Sequence, residues 1–148
     1  MNVLIEPLIK EEIPAIVEIE QHTFLNPWTI SQFEEYLGKD NKSILVAKVD
    51  GHLSGYIIFE HVMDEGHISN LAVREKFRGQ GIGRELVEFV LEEARKIDLK
   101  WIQLEVRESN KKARSLYSKY DFKEVRKRKE YYNKPVEDAI VLRLDITK

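Results

Sequence analysis

One stretch of the chain has the composition of an anion-binding loop: Arg78-Gly79-Gln80-Gly81-Ile82-Gly83, followed by Arg84. Glycines let a backbone turn tightly and bring its N–H groups close to a ligand. If a helix starts here, its unpaired amides and dipole suit a pyrophosphate, and Arg78 adds a cation for direct phosphate contact. Two other phosphate loops are excluded by spacing. No Gly-Lys-Ser/Thr follows the first glycine, and the third glycine of G-x-G-x-x-G would fall at Arg84. A plain flexible helix start remains open beside the phosphate reading.

A carboxylate and a phenol are the other candidates. In the run Trp101 to Val106, Ile102, Leu104 and Val106 share one face of a strand, while Gln103 and Glu105 share the other. Glu105 is a candidate proton acceptor if that face meets a cleft, and a solvated or ion-paired glutamate if it does not. Tyr117 joins Ala113 and Leu116 on a helical stripe, where a phenol either donates a proton or fills core area. The chain has no cysteine, which excludes an acyl-cysteine intermediate, a disulfide framework and a thiolate metal site. His22, His52, His61 and His67 lack metal-ligand spacing, so no metal is expected. His67, which leads a strand, reads as a half-exposed strand residue. No Gly-x-Ser-x-Gly elbow is present, which argues against a serine hydrolase.

These residues need elements to hold them. The 148 residues suit one domain. Val3 to Ile5 form a short strand at the acidic-ended start Met1 to Glu6, and Ile13, Ile16, Val17 and Ile19 mark a helix over Glu11 to His22. Thr29 caps a second short helix carrying Phe33 and Leu37. Ser43 to Val49 and Leu53 to Val62 read as strands joined at Asp50-Gly51. A turn at Asp64-Glu65-Gly66 leads to a strand over His67 to Val73. The long helix after the glycine loop carries Ile82, Leu86, Val90 and Ala94 in one stripe, with Val87 and Leu91 beside it. Trp101 to Val106 is the next strand and Asn110 to Tyr120 the next helix. Strands near Phe122 to Tyr131 and Ala139 to Asp145 close the chain. The order βααβββαβαββ predicts a mixed α/β sheet flanked by helices on both faces. Its central strand–helix–strand unit is expected to be parallel with a right-handed crossover.

Charge and hydropathy bound the setting. The formal net charge is −2, so no global basic field points to nucleic acid. Arg126-Lys127-Arg128-Lys129 reads as a solvated strand with at most two side chains on one face; contact with an acidic substrate surface, or with RNA beside it, is the alternative. No run of apolar residues approaches the length of a membrane span. With neither a signal-peptide pattern nor cysteine, a cytoplasmic protein is expected.

Several blocks together resemble one family. Arg-x-x-Gly-x-Gly after the strand end Asn70-Leu71-Ala72-Val73 is similar to the acetyl-CoA loop of the GNAT N-acetyltransferases. So is the later segment Leu104-Glu105-Val106-Arg107-Glu108-Ser109-Asn110, followed by Ala113, Leu116-Tyr117 and Tyr120-Asp121-Phe122. Tyr131-Tyr132 with Glu137-Asp138-Ala139, and Asn26-Pro27-Trp28 with Phe33, resemble the RimI-type subfamily that acetylates a ribosomal protein's N-terminal alanine. One departure is Asp121, which replaces the usual glycine and calls for a left-handed backbone at a non-glycine residue.

The resemblance implies the GNAT fold and an acetyl-CoA-dependent N-terminal acetyltransferase acting on a protein amine, by direct attack in a ternary complex. An α-amine with a pKa of about 7.7–8.0 is mostly protonated near neutrality, so a base must act. The resemblance puts that base at Glu105 and the acid for the leaving thiolate at Tyr117. It gives the pantetheine arm to backbone from Leu71, Ala72 and Val73, with an N–H near Leu71 or Ala72 polarising the thioester oxygen. The pyrophosphate falls to amides of Arg78, Gly79, Gln80, Gly81, Ile82, Gly83 and Arg84. Asn110 contacts the coenzyme or caps its helix, or both. The substrate peptide would meet Trp28, Phe33 and one of Tyr131 and Tyr132, because neighbours on a strand alternate faces. Two other readings stay open: a broader archaeal-type enzyme accepting Ser, Ala or Met starts, and a non-catalytic acetyl-CoA-binding sensor.

Overall fold

A computed structural model describes residues 2–146 of the chain; Met1, at the head of the expected first strand, lies outside the described residues. The strands are β1 (Val3–Pro7), β2 (Lys42–Val49), β3 (His52–Val62), β4 (Glu65–Val73), β5 (Trp101–Arg107), β6 (Lys123–Tyr132) and β7 (Glu137–Asp145). The α-helices are α1 (Ile13–Thr23), α2 (Ile30–Glu34), α3 (Ile82–Lys96) and α4 (Lys111–Lys119). The order along the chain is the expected βααβββαβαββ, with short 3-10 turns at Lys10–Glu12 and Glu75–Phe77.

All seven strands join one sheet in the order β1-β2-β3-β4-β5-β7-β6. Every neighbouring pair is antiparallel except β4 and β5, which run parallel across α3. Local sequence sets the turns. Asp50 and Gly51 both take positive φ, 50° and 86°, as a two-residue turn with the twist of its strands requires. The turn from β3 to β4 falls at Met63-Asp64, earlier than expected, so Glu65 and Gly66 belong to β4. Thr29 caps α2 by accepting the Gln32 N–H at 3.3 Å, and Asp121 adopts the left-handed φ of 69°.

Two cores lie on opposite faces of the sheet. On one, the α3 stripe of Ile82, Leu86, Val87, Val90, Leu91 and Ala94 packs against Ala47, Ile57, Ile102 and Leu104, and α4 adds Tyr117. On the other, Ile13, Ile16 and Ile19 of α1 and Phe33 after Trp28 cover Val46, Tyr56, Ile58 and Ala72. Each such buried aliphatic side chain stabilises the fold by roughly 1.5–3 kcal/mol.

A defect in the sheet creates the site. Ile58 pairs with Asn70 and Phe59 with Ile68, which leaves Ser69 as an extra residue in β4. A bulge of this kind bends its strand and increases the twist. β4 and β5 pair only over Glu65–His67 against Trp101–Gln103. Beyond His67 the strands fork, and the rest of β4 turns an unpaired edge toward β5.

Candidate active site

The fork opens into a cleft of about 940 Å³ that runs through the sheet edge from one helical face to the other. At its α3 end, Gly79 (φ 77°) and Gly81 (φ 85°) hold the loop in a conformation open to glycine, and Gly81 is the N-cap of α3. Nothing lies within 4 Å of where a Cβ on Gly79 would stand, so open space lies beside that backbone. Arg78, Gly79, Gly81, Ile82, Gly83 and Arg84 line the cleft. Arg78 Nε donates to the Val73 carbonyl at 2.9 Å, tying the loop to the end of β4. Gln80 does not line the cleft; its side chain turns outward toward the Lys76 carbonyl, 3.5 Å away. The residues therefore fit a pyrophosphate: free amides at a helix N-terminus, with Arg78 and Arg84 at hand and Lys112 across the cleft.

Leu71, Ala72 and Val73 supply the wall between the two ends. Opposite them, Asn110 does two things at once: its Oδ1 accepts the Ala113 N–H at 3.2 Å, capping α4, and its side lines the cleft. Tyr117 is buried and its ring meets Phe122 edge-on at 5.2 Å, yet it too reaches the cleft. Burial pushes its phenol pKa upward, so the hydroxyl keeps its proton.

Glu105 lies beyond the fork, on the face of β5 away from α3. Its Oε1 and Nε2 of His67 are 2.7 Å apart, and Nη1 of Arg128 stands 4.0 Å from Oε2. Burial raises the Glu105 pKa, but the His67 hydrogen bond, the His67 charge and then Arg128 and Arg126 outweigh it and hold the carboxyl below its ordinary range.

The far end is aromatic. Trp28 lines it, held 5.4 Å from Phe33 and 5.1 Å from Tyr36, ring to ring. Phe33 does not line the cleft: it is fully buried under Trp28 against Tyr56, so its part is to support the wall. The expectation that only one of Tyr131 and Tyr132 faces the cleft is also corrected, because both do. The β6–β7 register breaks between Arg128 and Tyr132, and Glu130 takes φ 50°, so strict alternation is lost there. The two rings meet edge-to-face at 5.0 Å. Arg128 covers Tyr131 at 4.7 Å and Arg107 covers Tyr132 at 4.5 Å.

The sequence pattern of the acetyltransferase (GNAT) family matches residues 13–122. The chain belongs to that family. A Bacillus subtilis chain, carried provisionally as a ribosomal protein bS18-alanine N-acetyltransferase, is 37% identical over 139 residues, spanning 93% of this chain and 92% of its own. The ribosomal protein bS18-alanine N-acetyltransferase of Escherichia coli K12 is 32% identical over 145 residues, 97% of each chain. The crystal structure of the Escherichia coli ribosomal-protein-S18-alanine N-acetyltransferase superposes with a TM-score of 0.91, covering 99% of this chain and 96% of that one.

Within this GNAT site, four side chains carry more than their sequence reading gave them. His67 is half-exposed on its strand, as expected, and is in addition the hydrogen-bonded partner of Glu105. Arg128 leaves the solvated run to face that same carboxylate. Arg107 links two loops, donating to Asn26 Oδ1 (3.0 Å) on one side and to the Asn133 (3.0 Å) and Pro135 (3.1 Å) carbonyls on the other. Glu20 is fully buried, where it accepts from the Trp28 N–H and Asn70 Nδ2, both at 2.8 Å, and from the Tyr56 hydroxyl. A signal for Glu20 existed: it falls seven positions after Ile13 and four after Ile16, on the apolar stripe of its helix.

Proposed function

We propose that this GNAT enzyme transfers an acetyl group from acetyl-CoA to the α-amine of an N-terminal alanine, and that its protein substrate is ribosomal protein bS18. The observation that carries the reading is the forked cleft. A helix-capped glycine loop stands at one end, a half-buried carboxylate–imidazole pair at the middle and an aromatic wall at the other end. The names of the relatives that match over nearly their whole length support the choice of amine and of partner.

Acetyl-CoA supplies the acetyl group as a thioester. The loop amides from Gly79 to Arg84 bind its pyrophosphate, and the unpaired edge of β4 at Leu71–Val73 takes its amide-bearing arm as an added strand. Trp28, Tyr131 and Tyr132 hold the first residues of the peptide, so that the amine reaches the middle of the fork. The Glu105 side of the cleft draws the proton from the ammonium, and Tyr117, kept protonated by burial, gives one to the departing sulfur.

The test is thiol release from acetyl-CoA with a hexapeptide beginning in alanine, alongside peptides beginning in serine, methionine or glycine. Alanine is expected to turn over fastest, and Glu105→Gln to lower kcat by about a hundredfold or more while acetyl-CoA still binds. Equal turnover of serine and methionine starts would favour the broader enzyme. Tight acetyl-CoA binding with no turnover of any peptide would favour a sensor and sink the proposal.

A further inference from the structure

Glu105 is poorly placed to meet a substrate by itself. Its side chain is only 10% exposed, whereas that of His67 is 35% exposed. One carboxylate oxygen is taken up by His67 at 2.7 Å and the other faces Arg128 at 4.0 Å. The imidazole stands between the carboxylate and the open cleft, and both residues line it. Since an ionised carboxylate only accepts, the proton of the neutral ring belongs on Nε2, and Nδ1 is left as an acceptor. Nδ1 lies on the side of Ser69, whose Oγ is 3.5 Å away, at the bulge where the fork opens.

We propose that His67 Nδ1 takes the proton from the substrate's α-ammonium, and that Glu105 acts through the ring, holding its tautomer and balancing its charge. This rests on the acetyltransferase reading above and assigns a residue within it. An imidazole ordinarily titrates near 6.5, far closer to an α-amine than a carboxylate does, so it is the better-matched acceptor at neutral pH.

The groups around the ring are consistent with this role. From β5 comes Glu105, and from β6 come Arg128 and the more distant Arg126. On β3, Glu60 pairs with His67 across the strands and is held by the Tyr36 hydroxyl at 3.2 Å. The proton balance is complete without another reactant. The ammonium nitrogen must lose two protons as its bond to the acetyl carbon forms and the carbon–sulfur bond breaks. One passes to Nδ1 and then to solvent; the other ends on the thiol.

The experiment compares the full chain with His67→Gln, His67→Ala and Glu105→Gln, from about pH 6 to about pH 9. Matched Tm values serve as the folding control. His67→Gln is expected to lower kcat about a hundredfold, as Glu105→Gln does, with peptide KM within about threefold of wild type. The double substitution is expected to be slower than either single one by no more than about threefold, because the pair acts as one unit. His67→Gln and Glu105→Gln are expected to change the shape of the kcat–pH profile in the same way. Added imidazole restores turnover to His67→Ala and not to Glu105→Gln. If His67→Gln keeps kcat within about threefold of wild type while Glu105→Gln loses it, the assignment is overturned and Glu105 is the direct base. A wild-type chain that acetylates no peptide overturns the underlying function instead.

Discussion

Glu20 offers a prediction that separates two effects of a buried carboxylate. Burial raises its pKa above the ordinary 4.5, and the hydrogen bonds from Tyr56, Trp28 and Asn70 offset that only in part. Glu20→Ala removes the acceptor and leaves the Trp28 N–H and the Asn70 amide without a partner in a dry interior. Each orphaned donor costs about 1–3 kcal/mol. Relief of the buried charge offsets some of this, so the net loss is put at about 3 kcal/mol. In a chain of this size that lowers Tm by roughly 6–12 °C. Glu20→Gln keeps a carbonyl oxygen for both N–H donors and turns its own amide toward the Tyr56 oxygen, so its cost is about 1 kcal/mol or less. The pH dependence carries a sign. A folded-state pKa above the unfolded one means that the native chain binds the proton more tightly. The contribution of Glu20 is then fullest below the unfolded pKa and shrinks as pH rises through the folded one. Wild type is therefore expected to gain stability relative to Glu20→Gln on going from about pH 8 to about pH 5. Thermal unfolding of the three proteins at both pH values is the assay. A Gln variant as unstable as the Ala variant would refute the hydrogen-bond account, and a wild-type advantage that grows with rising pH would refute the burial account. Because Glu20 holds the backbone of Trp28, the Ala variant should also raise peptide KM and leave acetyl-CoA binding unchanged.

Two further outcomes follow from the ends of the cleft. Gly81→Ala forces a side chain into φ 85° at a cost of about 1–2 kcal/mol; acetyl-CoA affinity, measured by titration calorimetry, should fall about tenfold while peptide KM holds. Arg107→Ala removes the bonds from the guanidinium to Asn26 and to the Asn133 and Pro135 carbonyls, leaves only the direct Asn26 Nδ2 to Asn133 Oδ1 bond (2.9 Å) between the two loops, and uncovers the Tyr132 ring; peptide KM should rise about tenfold or more, with acetyl-CoA Kd unchanged in the same titration.

Much of the frame was legible because local chemistry dictates it. The α3 stripe, the Asp50-Gly51 turn and the Thr29 cap each rest on spacing within a few residues, and each fell where spacing put it. What escaped depends on departures from regularity. Strict alternation assigned one of Tyr131 and Tyr132 to the cleft, but a register break with Glu130 at positive φ brings both there. Phe33 shares a segment with Trp28, and sequence alone does not say which ring lies over the other. The β3–β4 turn was misplaced by assigning Gly66 to it; in the fold Gly66 lies in β4, where a Cβ would stand 3.0 Å from Leu99 and 3.1 Å from Phe59, so packing accounts for that glycine.

The pairing of His67 with Glu105 shows the same limit at the site. The two residues are 38 apart in sequence, and in the parallel register His67 is level with Gln103, not with Glu105. A regular pair of strands would hold them a step apart. They meet as diagonal neighbours on the sheet face away from α3, and the extra residue Ser69 follows at once, where β4 and β5 diverge and the cleft opens beside the pair. Period-two reasoning supplies faces but not bulges, and the bulge where this cleft opens has no signature beyond a polar run, here Ser69-Asn70, inside an otherwise apolar strand. Deleting Ser69 would restore regular pairing at the position where the fork begins. On this argument it should close the cleft and abolish turnover while the α3 core, which lies on the other face, stays folded.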